Sequence, residues 1–310
     1  MDARWVDEKP WVYRNEFDKP EIPAGTGYSA VLVFDGLDTF ARVKLDGKVI
    51  LMSSNMFIGH RVDITEALQG ISERHVLEIE FDSALIRARE IQKQYPDHIW
   101  ASFNGDSSRM GVRKAQYHWG WDWGPVLMTA GIWRDVRLEV YWARIQDLYT
   151  HTDLDWNHKT ARVTVHADIE SVISGPYKAR FTLRLSGKEV ARNEVTVTSV
   201  AKTTFVLEDP SLWWPRGYGS QALYEVSVSL VNNDDNEVHQ VSKRFGIRTA
   251  EVIQQDDKYG KSFFFRINGF DIFCGGSCWI PADSLLPNIS SERYRKWVEL
   301  LAAGNQIMVR

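Results

Sequence analysis

The residues of this chain whose types and spacing could do chemistry lie between Lys114 and Pro125, in the sequence KAQYHWGWDWGP. If this stretch is extended, successive side chains point to opposite faces. The two faces would then be Tyr117, Trp119, Trp121 and Trp123 on one side, and His118, Gly120, Asp122 and Gly124 on the other. Sugars present apolar C–H faces and hydroxyl groups, so an aromatic surface beside a carboxylate suits them. The pattern therefore predicts a carbohydrate-binding surface.

Tryptophans at alternate positions are equally typical of a β-sandwich core, so the aromatic residues alone leave two interpretations open. Asp122 favours the functional interpretation. A carboxylate among tryptophans costs free energy unless a charged or hydrogen-bonding partner compensates it. We therefore expect Asp122 either to bind a ligand or to form a structural ion pair.

The composition is that of a globular chain long enough, at 310 residues, for two domains and part of a third. The net charge of -4 and the lack of a Lys/Arg cluster argue against a nucleic-acid binder. The 13 Trp, 11 Tyr and 14 Phe suit both large β-cores and carbohydrate-binding surfaces. Cys274 and Cys278 are too close together to crosslink such a domain and lack nearby zinc ligands, so both are predicted to be free thiols.

The apolar and charged segments of the sequence bear on where the protein is located in the cell. No run of the sequence is long and apolar enough to cross a bilayer, so no membrane association is predicted. The first ten residues carry five charged side chains where a signal peptide would be apolar. A cytoplasmic location is expected, provided that Met1 is the true start.

Residues 29–82 show short alternating segments separated by turns, which is typical of antiparallel strands. The alternating apolar positions are Val31, Val33, Ala41, Val43, Leu45, Leu77, Ile79 and Phe81. Asp46-Gly47 predicts a two-residue hairpin turn. Residues 83–95 break the alternation and predict a short helix ending before Pro96, after which alternation returns in residues 131–142. This region is predicted to be an antiparallel β-sandwich.

A second set of alternating segments follows residue 146. Its apolar positions are Val163, Val165, Ile169, Phe181, Leu183, Leu185, Tyr224, Val226, Val228 and Leu230. The polar run 232–236 predicts a solvated hairpin loop rather than a metal site. About a hundred residues in this arrangement predict an immunoglobulin-like sandwich.

The pattern changes after residue 246. Asn268-Gly269 predicts a hairpin, and Ser290 is a candidate N-cap for a helix whose apolar stripe is Tyr294, Trp297, Val298 and Leu301. Gly304 is predicted at the left-handed position that ends this helix, and residues 307–309 are predicted to form a buried strand. A helix followed by such a strand begins an α/β layer that cannot cover its own apolar faces, so the chain is expected to stop inside a third domain.

Five stretches of the sequence resemble the β-mannosidases of glycoside hydrolase family 2, most closely the fungal type B branch. The first, Arg113 to Pro125, is specific to the mannosidase branch, and the other four recur across the family. Those four are AGIWRDV at 130–136, LWWPRG at 212–217, FGIR at 245–248 and WIPAD at 279–283.

The resemblance implies a mainly β chain with three parts. These are a galactose-binding-like jelly-roll sandwich over 1–143 that lacks its opening strands, an immunoglobulin-like sandwich over 144–249, and the truncated start of a (β/α)8 barrel over 250–310. The implied activity is exo-acting hydrolysis of terminal β-D-mannose by a retaining mechanism that uses two carboxyl groups roughly 5 Å apart and no cofactor. Both catalytic glutamates would lie outside this chain, which would be inactive alone, so no residue here is assigned a catalytic role.

By the same resemblance, Asp122 binds the terminal sugar of a β-mannoside oligosaccharide, and Trp121, Trp123 and His118 form its packing and orienting shell. Arg310, at the end of the first barrel strand, is also predicted to face the substrate. Asp283 is predicted to brace the loop after Pro281. The alternative is a non-catalytic carbohydrate-binding protein made of two sandwiches, and neither hypothesis implies a metal site, a nucleic-acid partner or a defined oligomeric state.

Overall fold

The computed structural model describes residues 4–22, 27–101, 105–172, 177–197 and 199–310. The chain forms two compact units, Met1–Tyr141 with Ile280–Tyr294, and Trp142–Trp279 with Arg295–Arg310. The predicted mainly β fold is confirmed, whereas the predicted three-part domain boundaries stay a prediction. No helix in the described ranges is long and apolar enough to span a membrane.

Nine strands lie among the described residues of the first unit. They are β1 (Trp11–Asp18), β2 (Ser29–Phe34), β3 (Leu37–Asp38), β4 (Phe40–Leu45), β5 (Lys48–Ser54), β6 (His60–Asp63), β7 (Arg74–Phe81), β8 (Gly131–Ile132) and β9 (Val136–Tyr141). They pair antiparallel in a sheet of order β1-β7-β4-β5, a sheet of order β6-β2-β9 and the short pair β3-β8.

A core lies between the two larger sheets of the first unit. Phe34 of β2, Val43 of β4 and Phe81 of β7 are fully buried in one cluster. Strand β2 is buried on both faces because Val31 and Val33 pack with a tyrosine of β9 on its other side. The predicted antiparallel sandwich is therefore present.

The hairpin turn and the helix that local sequence signals predict are both present in the first unit. Asp46 and Gly47, with φ of 50° and 79°, form the tight turn between β4 and β5, because both positions need a left-handed backbone that Asp and Gly tolerate. Helix α1 (Thr65–Leu68) is short. Helix α2 (Ala84–Gln94) begins where Ser83 Oγ accepts a hydrogen bond from the Ile86 amide, at 3.0 Å. Among the described residues of 4–141 there are three short 3₁₀ segments, Arg4–Glu8, Ser107–Gly111 and Gln116–Trp119, and a fourth, Leu286–Asn288, lies in residues 280–294.

The second unit holds the remaining strands. They are β10 (Ala143–Leu154), β11 (Thr160–Ser171), β12 (Tyr177–Leu185), β13 (Lys188–Val197), β14 (Val200–Glu208), β15 (Tyr224–Val231), β16 (Glu237–Phe245), β17 (Ala250–Ile253), β18 (Asp256–Asp257), β19 (Gly260–Lys261), β20 (Phe264–Ile267), β21 (Phe270–Ile272), β22 (Gly276–Ser277) and β23 (Met308–Val309).

Two antiparallel sheets, β10-β11-β14 and β13-β12-β15-β16, enclose the core of the second unit. Val163, Phe181 and Val228 are among the buried residues that the two sheets contribute. The polar run 232–236 closes the hairpin between β15 and β16, as predicted. Residues 268 and 269 form the predicted hairpin turn between β20 and β21.

The segment after β21 forms a β-α-β unit, in which β22 and β23 pair in parallel and helix α3 (Ser291–Ala303) lies between them in sequence. Ser290 Oγ accepts a hydrogen bond from the Arg293 amide, which confirms the predicted N-cap. The prediction for the end of the helix is wrong by one residue. Asn305, not Gly304, is left-handed, with φ of 57°. Asparagine tolerates that conformation, and the amides of Asn305 and Gln306 close the last turn.

The predicted burial of the strand after α3 is also wrong. Met308 and Val309 form β23, but both are exposed, because in the described residues it pairs with β22 alone. The predicted apolar stripe on α3 is present and likewise exposed, at Tyr294, Trp297 and Val298.

Candidate functional site

The stretch from Lys114 to Pro125 is not extended, so the predicted alternation of its side chains is wrong. Residues 116–119 form a 3₁₀ turn, and Gly120 follows with φ of 87°. Only glycine adopts this backbone without strain, and an added Cβ would lie 2.8 Å from Val126 Cγ2. The reversal at Gly120 buries His118 and Trp119 together, although the sequence pattern places them on opposite faces.

Beyond Gly120 the chain makes a second tight turn that presents Asp122. Backbone hydrogen bonds join Trp121 and Gly124 in both directions, at 3.0 and 3.3 Å. Asp122 lies in the turn, exposed to solvent. In the described part of the chain its carboxylate takes part in no ion pair or hydrogen bond, so the alternative of a structural ion pair finds no support there. A free, hydrated carboxylate can accept hydrogen bonds from two neighbouring hydroxyl groups of a ligand.

The tryptophans on either side of Asp122 are partly exposed, with 39% of Trp121 and 36% of Trp123 accessible. The guanidinium of buried Arg109 lies 5.0 Å from the ring centroid of Trp121. The ring of Tyr117 lies 5.8 Å from that of Trp123. Each indole thus has a packed neighbour and keeps accessible surface, which an aromatic sugar-binding surface requires.

The buried side chain of His118 forms a hydrogen bond within the loop. Its Nδ1 hydrogen-bonds the carbonyl oxygen of Leu127 at 2.9 Å, so Nδ1 carries the proton. Burial, and then the nearby Lys114 ammonium, lower the pKa of His118 to about 4, so the ring is neutral at pH 7. Nε2 is shielded from solvent and has no hydrogen-bond partner in the described residues. This placement suits the orienting role predicted for His118.

A buried ion pair lies at the base of the same loop. The ammonium of Lys114 contacts the carboxylate of Asp38, and the two side chains are 0% and 1% exposed. Thr129 Oγ1 donates to Asp38 Oδ2 at 2.6 Å, and the neighbouring Thr39 hydroxyl also donates to Asp38. Burial lowers the pKa of Lys114, and the Asp38 carboxylate opposes that shift. No local sequence signal identifies this pair, because 76 residues separate its members.

A cleft of about 230 Å³ opens in the same unit. Its walls include Tyr13, Asp38, His118 and Trp133, together with residues 284–288. Asp122 is not among the described residues that line it. His118 and Asp122, which the sequence analysis assigned to one site, therefore do not share this cavity.

Asp283 braces the loop after Pro281 as predicted. Its Oδ1 accepts a hydrogen bond from the Leu285 amide at 2.9 Å, and its Oδ2 lies 3.4 Å from Arg293 Nη1. These contacts satisfy both carboxylate oxygens and leave Asp283 a structural role.

Arg310 lies in the second unit beside the strand pair β22-β23. Its amide donates to the Ser277 carbonyl at 3.0 Å, its carbonyl accepts from the Trp279 amide, and Nη1 lies 3.4 Å from Cys278 Sγ. The predicted contact of Arg310 with substrate stays a prediction. Cys274 and Cys278 are free thiols, as expected.

The chain thus combines two β-sandwiches, and the first carries an exposed aspartate flanked in sequence by two partly exposed tryptophans. The model of the glycosyl hydrolase 2 galactose-binding domain-like family matches residues 1–134, and that of the glycosyl hydrolases family 2 matches residues 143–248. The chain belongs to glycoside hydrolase family 2, which confirms the predicted membership and the galactose-binding-like and immunoglobulin-like domains.

The relatives include curated proteins named β-mannosidase B. The chain is 64% identical to that of Emericella nidulans over 312 residues and 63% identical to that of Aspergillus fumigatus. These alignments cover all of this chain but 36% of each relative, so the chain spans about a third of their length. The crystal structure of a β-D-mannosidase from Dictyoglomus thermophilum superposes with a TM-score of 0.87 at 33% identity, covering 99% of this chain and 38% of that one.

Proposed function

We propose that this chain is part of an exo-β-mannosidase that removes terminal, non-reducing β-D-mannose from β-mannosides and their oligosaccharides. In this proposal Asp122 binds the terminal sugar. The observation that carries it is the exposed Asp122 carboxylate, which has no partner among the described residues and whose neighbours in sequence are two partly exposed tryptophans. The names of the relatives, β-mannosidase B and β-D-mannosidase, support the choice of mannose.

The proposed contact is a charge-assisted hydrogen bond. Asp122 is an acceptor for hydroxyl donors on the ring, and Trp121 and Trp123 offer apolar surface to its C–H groups. Charge-assisted hydrogen bonds are worth about 1.5–3 kcal/mol, which corresponds to roughly 10- to 100-fold in kcat/KM.

Bond cleavage is assigned to other parts of the intact enzyme. Retaining hydrolysis needs a nucleophile and an acid/base roughly 5 Å apart, and no cofactor. We propose that later strands of a (β/α)8 barrel supply both carboxyl groups, and that β22, α3 and β23 are the first elements of that barrel. Arg310 follows β23 directly, at the strand end where barrel active sites are built, which supports its proposed contact with substrate.

The test uses the full-length protein that contains this chain and an aryl β-D-mannopyranoside. Asp122→Asn, which keeps the shape but removes the charge, is expected to lower kcat/KM roughly 10- to 100-fold. Asp97→Asn, at another exposed aspartate of the same unit, is the matched control and should leave kcat/KM unchanged. Equal kcat/KM values for the two variants would contradict the assignment of Asp122. The 310-residue chain alone should show no turnover.

A second candidate function, a non-catalytic carbohydrate-binding protein of two sandwiches, is supported by the same exposed Asp122 turn. Titration of the 310-residue chain with mannose in a calorimeter separates the two candidates. A lectin binds measurably by itself, whereas a surface that needs the walls of a barrel binds little. The expected cytoplasmic location stays a prediction.

A further inference from the structure

The loop of residues 115–128, here called the Asp122 loop, is closed at its base by side chains. Lys114 directly precedes the loop, and Thr129 directly follows it. Lys114 Nζ donates to the Thr129 carbonyl oxygen at 2.8 Å, and both residues hydrogen-bond the carboxylate of Asp38. Three groups from two distant parts of the chain therefore meet at the neck of the loop.

The neck is fixed to the sandwich. Asp38 belongs to β3 and is opposite Gly131 in the pairing of β3 with β8. Next to the neck, the Ala115 amide contacts Met56 Sδ, at 3.1 Å, and Met56 is fully buried. The loop is thereby attached to a rigid part of the fold.

Cross-connections continue from the neck to the tip of the loop. His118 hydrogen-bonds Leu127 at 2.9 Å, and Trp121 pairs with Gly124 beyond it. Together with the contact between Lys114 and Thr129, these pairs link the two halves of the loop at three successive levels. Through these links we expect a displacement at the neck to reach the turn that carries Asp122.

A buried ion pair is a costly way to gain stability, because desolvation offsets much of the attraction, and an apolar pair of similar size often serves as well. A charged pair does, however, fix the direction of several hydrogen bonds at once. The buried pair of Asp38 and Lys114 is therefore better explained by the geometry that it fixes than by the stability that it adds.

We propose that Asp38 and Lys114 are positioning residues, which act on the sugar through Asp122 by fixing the neck of the Asp122 loop. The inference rests on the proposed function, in which Asp122 contacts the substrate. It adds two residues, outside the tryptophan-rich turn, that determine whether this contact forms.

The test is a double-mutant cycle in the full-length protein. The Asp38→Asn/Lys114→Met variant removes both charges, so no uncompensated charge remains buried. It is made in the wild-type and in the Asp122→Asn background, and kcat/KM is measured with an aryl β-D-mannopyranoside. The matched control is Lys44→Met/Glu80→Gln, which removes a partly exposed ion pair between β4 and β7, outside the loop.

If the pair acts through Asp122, its removal lowers kcat/KM roughly 10- to 100-fold in the wild type, since small displacements of a binding group have effects of this size. It then causes less than about a two-fold further loss when Asp122 is already Asn. The same fold-loss in both backgrounds would overturn the proposal, because it would reveal a general effect on the fold. In each background the control variant is expected to have the same kcat/KM as the protein from which it is made.

Hydrogen exchange on the 310-residue chain tests the proposal independently of activity. Amides of residues 115–128 should exchange faster in Asp38→Asn/Lys114→Met, while those of β4 and β7 should not change. Unchanged exchange in the loop would overturn the positioning role. If Asp122→Asn alone leaves kcat/KM intact, the proposed function fails, and the exchange result still decides whether the pair orders the loop.

Discussion

Lys114 Nζ lies 2.8 Å from the carbonyl oxygen of Thr129, so one hydrogen bond joins the two ends of the loop that presents Asp122. Asp122, the residue proposed to bind the sugar, is thereby separated from the residues that support its loop. Asp122 is exposed and free of partners in the described structure, whereas the groups that hold its loop are buried. Under the proposed function, Asp122 can contact a ligand without a cost in folding stability, so substitutions of Asp122 and of the neck residues should have different effects.

Asp122→Asn should leave stability unchanged. Its carboxylate has no ion pair or hydrogen bond in the described residues, and surface substitutions of this kind change the free energy of unfolding by less than about 0.5 kcal/mol. Urea denaturation of the 310-residue chain, with Asp97→Asn as the control, provides the measurement. A loss above about 1 kcal/mol would mean that Asp122 has a structural partner after all.

Substitutions at the neck of the loop should, in contrast, lower the free energy of unfolding. Lys114→Met leaves the Asp38 carboxylate buried without its cation, and breaking such a pair costs about 3–5 kcal/mol. Asp38→Asn/Lys114→Met removes both charges and should recover most of that loss. Denaturation curves of the two variants are compared with wild type. A double variant less stable than the single one would contradict the coupling between the two side chains.

The stability of the first unit should depend on pH through His118. Its pKa is about 4 in the folded chain and about 6.5 when unfolded, so between these values only the unfolded chain binds the proton. The free energy of unfolding should therefore fall as the pH drops from about 6.5 to about 4, by up to about 3 kcal/mol. His118→Asn keeps a donor near the Leu127 carbonyl but does not titrate, and should flatten the profile. The same slope in both proteins would exclude His118 as its source.

Tyr117→Phe should be close to neutral or stabilising. The Tyr117 hydroxyl is shielded from solvent without a hydrogen-bond partner in the described residues, and burial raises the pKa of Tyr117 to about 12. Removing an unsatisfied polar group should change the free energy of unfolding by less than about 1 kcal/mol, or increase it. Thermal unfolding of the variant measures this. A marked drop in the melting temperature would indicate a hydrogen bond to the hydroxyl.

Local signals in the sequence were sufficient for much of the fold. Asp46-Gly47 dictates a tight turn because both residues tolerate positive φ, and Ser83 caps α2 through its own hydroxyl. Both features depend on a few neighbouring residues, so they could be predicted without the tertiary structure. Residue type and neighbours also single out Asp122 as the candidate ligand-binding carboxylate, and this role stays a prediction.

The conformation around Asp122 could not be predicted in the same way. Alternation of aromatic residues implies a strand, but Gly120 reverses the chain at φ of 87°, and a 3₁₀ turn buries His118 and Trp119 together. The pairing of Lys114 with Asp38 depends on the sandwich bringing together residues 76 positions apart. The conformation of this loop therefore depends on long-range packing, which the local sequence pattern does not predict.

The central claim is that Asp122 binds a hydroxyl group of the terminal mannose. It is tested most directly by measuring kcat/KM of the full-length protein for an aryl β-mannoside and its monodeoxy analogues, with wild type and Asp122→Asn. At least one deoxygenation is expected to lower kcat/KM roughly 10-fold or more for the wild type but less than about two-fold for Asp122→Asn, because the partner of that hydroxyl is already lost. Equal losses for both proteins with every analogue would contradict the binding of the sugar by Asp122.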